Sequence, residues 1–274
     1  MSSPQGSIEG TAGVRKHVIR PKLSLQSSGC FCMTTYFGTS GFYYEDWKGL
    51  FYPEDLPKKE WLQYYAQHFR TIEINSTFYR TPRASSFEKW DRDTPYNFKF
   101  TLKGSRYVTH VKKLNDPQEG LNNFYKAIDP LAHKTDCVLW QLPPSLQYDR
   151  EKLENFARAC SNDYANVLEF RHKSWFNEEC YDLLKEHKLS FCMLSTPDNL
   201  PEIALQTSRT AYLRFHGKDL KKRYDYNYSD AELKEWADKL KELSPQRIFI
   251  YFNNDYHTHA IANARTLEKM LQEK

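Results

Sequence analysis

Residues 70–82 read RTIEINSTFYRTP, and the five residues TIEIN at 71–75 decide the fold. Successive side chains of a β-strand point to opposite faces, so Ile72 and Ile74 share one face while Glu73 and Asn75 share the other. On an edge strand the face that carries Glu73 and Asn75 would be exposed to solvent. If that face is buried, an unpaired carboxylate there costs several kcal/mol, so Glu73 needs a partner and usually has a function.

Short β-rich runs alternate with helix-length amphipathic stretches along the rest of the chain. The predicted strands are YFGTS (36–40), TIEIN (71–75), FKFTLK (98–103), CVLWQ (137–141), VLEFR (167–171), SFCMLS (190–195), AYLRFH (211–216) and RIFIYFN (247–253). Helices are predicted at EWLQYYAQHF (60–69), EGLNNFYKAI (119–128), EKLENFARAC (151–160), SDAELKEWADKLKEL (229–243) and ANARTLEKML (262–271). Ser229 and Glu232 form a capping-box pair. Eight such repeats predict an α/β fold of the (β/α)8 TIM-barrel class.

A doubly wound open sheet is the competing fold, and the alternation within the strands separates the two. Both faces of an open parallel sheet are covered by helices and should be apolar, whereas a barrel has a helix side and a lumen. Glu169 and Arg171 alternate with apolar residues, and so do Arg214 and His216. These polar residues end their strands, which is where the active sites of TIM barrels form.

The alternation predicts a shared polar site at the carboxyl ends of the strands. Its predicted members are Glu73, Asn75, Lys103, Gln141, Glu169, Arg171, Arg214, His216 and Asn253. Three permanent cations stand against two carboxylates, which suits an anionic ligand. A purely structural ion-pair network stays open for any single residue, but desolvating five charges for rigidity alone compares poorly with apolar packing.

Composition describes an ordinary globular protein. The chain has 274 residues, 40% hydrophobic and 27% charged, with a net charge of +4. It contains no compact basic block and no apolar run of the roughly 20 residues that a bilayer requires. The six cysteines lack C-x-x-C spacing, so neither a zinc site nor a disulfide framework is indicated. We expect a cytoplasmic protein without a membrane segment.

Residues 1–33 differ from the rest, being rich in Ser and Gly, basic and poor in acids. That composition cannot build a core, so we predict a disordered or non-native leader before a barrel domain at 34–274. An organelle transit peptide and a translation start at Met33 are both open interpretations.

Ordered motifs along the chain resemble a known family. They are GTSGFYYEDWKGLFYP (38–53), EINSTFYRTP (73–82), THVKKL near Lys103, QLPPS (141–145), EFRHKSW (169–175), RFHG (214–217) and YFNND (251–255). Together they resemble the YecE-like family, domain of unknown function 72. The resemblance implies a TIM barrel whose signature residues ring the carboxyl-terminal mouth, and it adds Tyr79, His110, His172, Trp175 and Asn254 to the candidates. It implies no substrate.

Two carboxylates from strands two and five could flank a ligand and divide acid and base work. Glu169 should stay ionised beside Arg171, and Glu73 or His216 would carry the proton. The predicted catalytic residues are therefore Glu73, Glu169 and His216. The predicted substrate-binding residues are Asn75, Tyr79, Lys103, His110, Gln141, Arg171, His172, Trp175, Arg214, Asn253 and Asn254. We expect no cofactor, and the nearby cations argue against a divalent metal.

The leading hypothesis is an enzyme that acts on a small anionic, sugar- or nucleotide-like molecule by hydrolase- or isomerase-type acid–base chemistry. The alternative is a nucleic-acid binding or processing protein, which the slight basicity and the aromatic residues after the strands would suit. Those residues are Phe42, Tyr43, Trp47, Phe78, Tyr79, Trp175, Tyr224, Tyr226 and Tyr228. A non-catalytic barrel that binds a partner is a third interpretation.

Overall fold

The computed structural model describes residues 33–222 and 224–273. All eight predicted strands are present, with bounds within two residues of those expected. They are β1 (Thr34–Thr39), β2 (Thr71–Ile74), β3 (Lys99–Lys103), β4 (Thr135–Gln141), β5 (Ala165–Glu169), β6 (Ser190–Ser195), β7 (Thr210–Phe215) and β8 (Arg247–Phe252).

The strands form one parallel sheet that curves into a barrel. Its order is β1-β8-β7-β6-β5-β4-β3-β2, and each pair of neighbours in that order is parallel. A single parallel bridge between Ser40 and Glu73 joins the ends of β1 and β2. The protein is a (β/α)8 TIM barrel, and the bridge that closes the barrel between β1 and β2 involves Glu73.

Helices cover the outside of the sheet. They are α1 (Trp61–His68), α2 (Ser76–Tyr79), α3 (Ala84–Arg92), α4 (Pro117–Ile128), α5 (Arg150–Ala159), α6 (Glu178–Glu186), α7 (Asp230–Lys241) and α8 (His259–Gln272). The capping box of Ser229 and Glu232 opens α7 as predicted. The β6–β7 connection, residues 196–209, contains no helix, so the sixth repeat departs from the regular unit.

The alternation of side chains follows the predicted rule. Ile72, Leu168 and Phe215 belong to the large cluster between strands and helices. A second cluster fills the barrel interior and contains Cys137, Leu139, Val167, Cys192, Leu194, Tyr212, Phe249 and Tyr251. The interior is thus packed with side chains, as in other barrels of this class, and the charged residues lie at its carboxyl-terminal end.

The leader and the location of the protein stay predictions. The predicted leader at 1–33 lies outside the described residues except for Met33, so it stays a prediction. Cys137, Cys160, Cys180 and Cys192 are free thiols. Within residues 33–222 and 224–273, no helix is both long and apolar enough to cross a membrane. The cytoplasmic location also stays a prediction.

Candidate functional site

Glu73 lies fully buried inside the barrel, and its carboxylate is surrounded by donors. The Ser40 hydroxyl donates to Oε1 at 2.5 Å, and the Tyr212 hydroxyl donates to Oε2 at 2.6 Å. Arg214 Nη2 also donates to Oε1, at 2.6 Å. The glutamate within TIEIN is therefore an interior carboxylate that links β1, β2 and β7.

Arg214 joins the two buried glutamates. Its Nη2 binds Glu73 while its Nη1 donates to Glu169 Oε2, and Arg171 donates to the other oxygen of Glu169. Burial opposes ionisation of Glu169, but the guanidiniums of Arg171 and Arg214 outweigh it and hold the pKa of that carboxyl well below its usual range. Glu169 is therefore ionised at neutral pH, in agreement with the sequence interpretation.

Arg171 extends the network toward the cavity wall. Its Nη1 donates to Asp198 Oδ2 at 2.7 Å, and its Nη2 lies 3.0 Å from His216 Nε2. Asp198 is a third carboxylate that the sequence interpretation did not include. The predicted excess of three cations over two carboxylates is therefore wrong, because Asp198 balances Arg171.

His216 is a neutral imidazole. Burial, followed by the positive charges of Arg214 and Arg171, lowers the pKa of His216 well below its usual value. A guanidinium can only donate, so Nε2 accepts from Arg171 and the proton sits on Nδ1. The Asn253 atom that lies 3.0 Å from Nδ1 is the amide nitrogen, so a protonated Nδ1 requires this side-chain amide to be turned over, with its oxygen as the acceptor.

An open cavity of about 920 Å³ lies at the carboxyl ends of the strands, and we call it the mouth cavity. It is lined by Tyr44, Asp46, Asn75, Phe78, Tyr79, Lys103, His110, Gln141, Pro144, Arg171, Asp198, Arg214, His216, Tyr224, Asn253, Asp255 and Tyr256. Glu73 and Glu169 do not line it. The two buried carboxylates therefore lie behind the arginines, which face the cavity.

Lys103 ends β3 at the base of the mouth cavity with only 9% of its surface exposed. Within the described residues, no hydrogen bond or ion pair engages its ammonium, which lies 4.6 Å from the centre of the Phe78 ring. Burial and then the nearby Arg214 charge lower the pKa of Lys103 to about 8, against the weaker opposing effect of Glu169 and Glu73. Near neutral pH this amine exists in both protonation states.

The carboxyl of Asp255 has its pKa shifted in the direction opposite to that of Glu169. Burial, reinforced by the charges of Asp46 and Glu73, raises the pKa of its carboxyl well above the usual value. Its Oδ1 is buried and has no hydrogen-bond partner in the described part of the chain. Burial therefore favours the protonated form of this carboxyl in the wall of the mouth cavity, against the opposing effect of a hydrogen bond with Tyr44.

The structure brings most predicted site residues together. Glu73, Glu169 and Arg214 form the buried base, while the predicted residues that line the mouth cavity are Asn75, Tyr79, Lys103, His110, Gln141, Arg171, Arg214, His216 and Asn253. Tyr79 lies at the rim and is largely exposed.

Three predicted residues lie away from the cavity lining. Trp175 is fully buried, stacks on Phe170 with ring centres 4.7 Å apart and donates to the Leu146 carbonyl at 2.7 Å. Asn254 donates to the Tyr226 carbonyl at 2.7 Å. His172 Nδ1 accepts from the Ser174 amide at 3.1 Å. All three make contacts that shape loops, and none of them lines the cavity.

Sequence reasoning missed several members of the site. Tyr212 lies two residues before Arg214 on one strand, so the alternation rule could have found it. Ser40 lies within the quoted GTSGFYYEDWKGLFYP motif, and Asp255 ends the quoted YFNND motif, but both lie past the last residue of their strands in the structure. Asp198 comes from the β6–β7 connection, where no periodic signal exists.

The described residues offer no ligand set for a metal ion. Among residues 33–222 and 224–273, no group of three or more His, Cys, Asp and Glu side chains is arranged to hold a metal ion.

Comparison with known proteins gives the family. The sequence model described as "Protein of unknown function DUF72" matches residues 36–274. The chain belongs to the DUF72 family. This DUF72 protein is similar to the UPF0759 protein YunF of Bacillus subtilis (strain 168), with 27% identity over 253 residues, covering 80% of this chain and 89% of YunF. It is also 26% identical over 116 residues to YecE of Escherichia coli (strain K12), covering 42% of this chain and 43% of YecE.

Solved structures show the same architecture. A DUF72 family protein from Thermotoga maritima MSB8 superposes with a TM-score of 0.80 at 38% identity, covering 88% of this DUF72 chain and all of the other. A DUF72 family protein from Enterococcus faecalis V583 gives a TM-score of 0.75 at 20% identity, covering 88% and 96%. SacUVDE gives a TM-score of 0.53 at 8% identity, covering 88% and 99%, which is a likeness of fold alone.

Proposed function

We propose that this DUF72 protein is an enzyme that acts on a small anionic molecule, phosphorylated or carboxylated, in the mouth cavity. The observation that carries the proposal is the placement of charge. Lys103, Arg171 and Arg214 line the cavity, whereas Glu73 and Glu169 lie behind the arginines. Three aspartates also line it, of which Asp198 is paired with Arg171 and Asp255 has a raised pKa. A ligand in the cavity therefore meets cationic donors before it meets the two buried carboxylates.

The three cations would divide the work of binding. Each arginine is held by carboxylates, so its planar donors are oriented before the ligand arrives, and such forks suit phosphate and carboxylate groups. Lys103 has no acid partner in the described chain, so its charge is the one that a bound anion would neutralise. Glu73 and Glu169 would act as positioning residues through Arg214.

Acid–base chemistry would come from the cavity wall. Asp255 is a carboxyl whose raised pKa favours the proton-donating form, and His216 could accept a proton at Nε2 once a ligand takes the Arg171 donor that now occupies it. The surroundings favour a proton on the Asp255 carboxyl and disfavour a charged His216, and such opposite shifts of two groups are a basis for assigning acid and base roles. Such a pair suits hydrolytic or isomerase-type reactions. Direct proton transfer by Glu73 stays a prediction.

A thermal-shift screen tests the proposal. Phosphorylated and carboxylated sugars and nucleotides should include a compound that stabilises the wild type, by about 2.7 kcal/mol when its concentration is a hundred times Kd. The stabilisation should disappear in Lys103→Gln, which removes an unpaired charge and leaves no buried carboxylate alone. Lys185→Gln on the outer helix α6 should keep it. Absence of any stabilising anion from the whole panel would contradict the proposal.

Binding of single-stranded nucleic acid is a second candidate, favoured by aromatic residues at the rim. Tyr79, Tyr224 and Tyr256 line the mouth cavity and are substantially exposed, so they could stack on bases. The fluorescence anisotropy of a labelled oligonucleotide should then rise on binding, weaken as salt increases and fall in Tyr79→Ala. Binding that is absent, or that does not depend on salt, removes this candidate.

A further inference from the structure

We propose that the side-chain amine of Lys103 is a nucleophile, and that it condenses with the carbonyl group of an anionic aldehyde or ketone bound in the mouth cavity. The inference rests on the proposed function, because it names the substrate class of the same cavity.

The side-chain amine of Lys103 is buried without a hydrogen-bonding partner among the described residues. Lys103 is nine-tenths buried, faces the cavity and makes neither a hydrogen bond nor an ion pair through its ammonium in the described chain. Lys134 is buried to a similar extent, but its Nζ donates to the carbonyls of Asp91 and Thr94 at 2.6 and 2.8 Å and lies 2.7 Å from the Asp91 carboxylate. A structural lysine is satisfied in this way, and Lys103 is not.

The backbone that carries Lys103 is held on both sides. Thr77 Oγ1 donates to the Lys103 carbonyl at 2.7 Å, and the Gly104 amide donates to the Leu139 carbonyl at 2.8 Å. Gly104 packs so tightly against the Trp140 ring that a Cβ there would lie 2.1 Å from Cε3. With the backbone fixed and the ammonium over the Phe78 ring, the amine is presented to the cavity from a rigid strand end.

The electrostatics support the same role. A lysine becomes nucleophilic near neutral pH when it is desolvated or lies beside another cation, because both effects disfavour the ammonium. Burial and Arg214 act in this direction on Lys103, Arg171 adds to them, and Glu169 and Glu73 oppose them. The resulting pKa of about 8 leaves a useful fraction of free amine at pH 7.

The chemistry balances without a further reagent. The lone pair of the neutral amine attacks the carbonyl carbon, a C–N bond forms, and the C–O π bond breaks to give a carbinolamine after proton transfer. Protonation of its hydroxyl lets water leave and produces an iminium ion on Lys103. The net change is ammonium plus carbonyl compound to iminium plus water. Asp255 in the same wall, a carboxyl whose pKa is raised by burial, could supply the proton, while Arg171 and Arg214 would hold the anionic group.

Reductive trapping tests the inference. Pyridoxal 5′-phosphate, an anionic aldehyde, is mixed with one equivalent of the wild type or Lys103→Arg, reduced with borohydride, and mapped by peptide mass spectrometry. We expect the adduct, with the mass of the aldehyde less one oxygen atom, mainly on Lys103. Lys134 in the same sample is the matched buried control and should stay unlabelled. Labelling spread evenly over surface lysines, or absent from Lys103, would overturn the inference.

The pH dependence of trapping gives a second readout that needs no variant. The rate at Lys103 should rise with an inflection near pH 8. An inflection near the ordinary lysine value of about 10.4 would overturn the inference.

Inorganic phosphate and a phosphorylated alcohol separate this inference from the proposed function. If they stabilise the wild type and Lys103→Arg but no adduct forms on Lys103, the lysine binds anions only, and the inference fails while the proposed function stands. If an adduct forms and phosphate slows its formation, both are supported. An adduct that phosphate does not affect contradicts the anionic substrate class, and the absence of both adduct and stabilisation removes both proposals.

Discussion

Arg214 on β7 donates to Glu73 on β2 across the barrel interior, with 2.6 Å between Nη2 and Oε1. The same guanidinium binds Glu169 through Nη1, so one cation neutralises parts of two fully buried carboxylates. Removing a member of such a buried network leaves uncompensated charge in the interior, so the stability of the fold and the orientation of the arginines depend on each other.

Arg214→Met should therefore destabilise the protein by about 3–5 kcal/mol, because it leaves the buried Glu73 without a cationic partner and Glu169 with Arg171 alone. Urea unfolding followed by circular dichroism would measure the loss. Adding Glu73→Gln and Glu169→Gln to the same chain should recover part of it, since no unpaired charge then remains. Arg150→Met breaks an exposed pair with Glu179 and should change stability little. An equal effect of the two arginine substitutions would contradict the buried-network interpretation.

Acidic pH should lower the stability of the fold by protonating Glu169. Its pKa is lower in the folded than in the unfolded chain, so the unfolded chain binds more protons in acid and stability rises with pH there. The contribution is complete above the ordinary glutamate value of about 4.3 and is lost as the pH falls toward the folded value. Urea unfolding at several acidic pH values should show a shallower dependence in Glu169→Gln than in the wild type. Identical slopes would contradict the assignment.

Asp255 should show the opposite dependence. Its folded pKa is raised, so the folded chain holds a proton that the unfolded chain has lost, and stability falls as the pH rises from about 4 toward the folded pKa. Asp255→Asn mimics the protonated carboxyl and abolishes this loss. The stability of the variant relative to the wild type should therefore increase as the pH rises above about 4 and until the folded pKa is passed, measured by the same urea titrations. A relative stability that does not change with pH would show that Asp255 is ionised.

Gly104→Ala should destabilise the protein by about 1–3 kcal/mol, because the added methyl group meets the rigid Trp140 ring. It should also reduce trapping at Lys103, the preceding residue. Gly120→Ala on α4 is the control, since its Cβ would lie 2.8 Å from a methyl of Val108 and alanine favours a helix over glycine by about 1 kcal/mol. Thermal unfolding of both variants measures the difference. A greater loss for Gly120→Ala would contradict the close contact at Gly104.

Much of the fold could be predicted because it depends on a local property. Alternation within TIEIN, VLEFR and AYLRFH is set by strand geometry, so the sequence predicts Glu73, Glu169 and Arg214 on the interior face, where the structure has them. The same rule held for Lys103 at the end of β3. The motif at 169–175 was a weaker guide, because a buried Trp175 that packs a loop gives the same sequence signal as one that contacts a ligand.

By itself, the sequence determined the barrel, the mouth as the place of its charges, and most of the polar residues there, since each follows from the two-residue period of a strand. Only the tertiary structure decided how the charges are arranged. Asp198 pairs with Arg171, burial raises the pKa of Asp255, the two glutamates lie behind Arg214, and Lys103 has no acid partner in the described chain. The reason is that the pairing and desolvation of charged side chains depend on distances between strand ends and loops that are remote in sequence. No local periodicity encodes those distances.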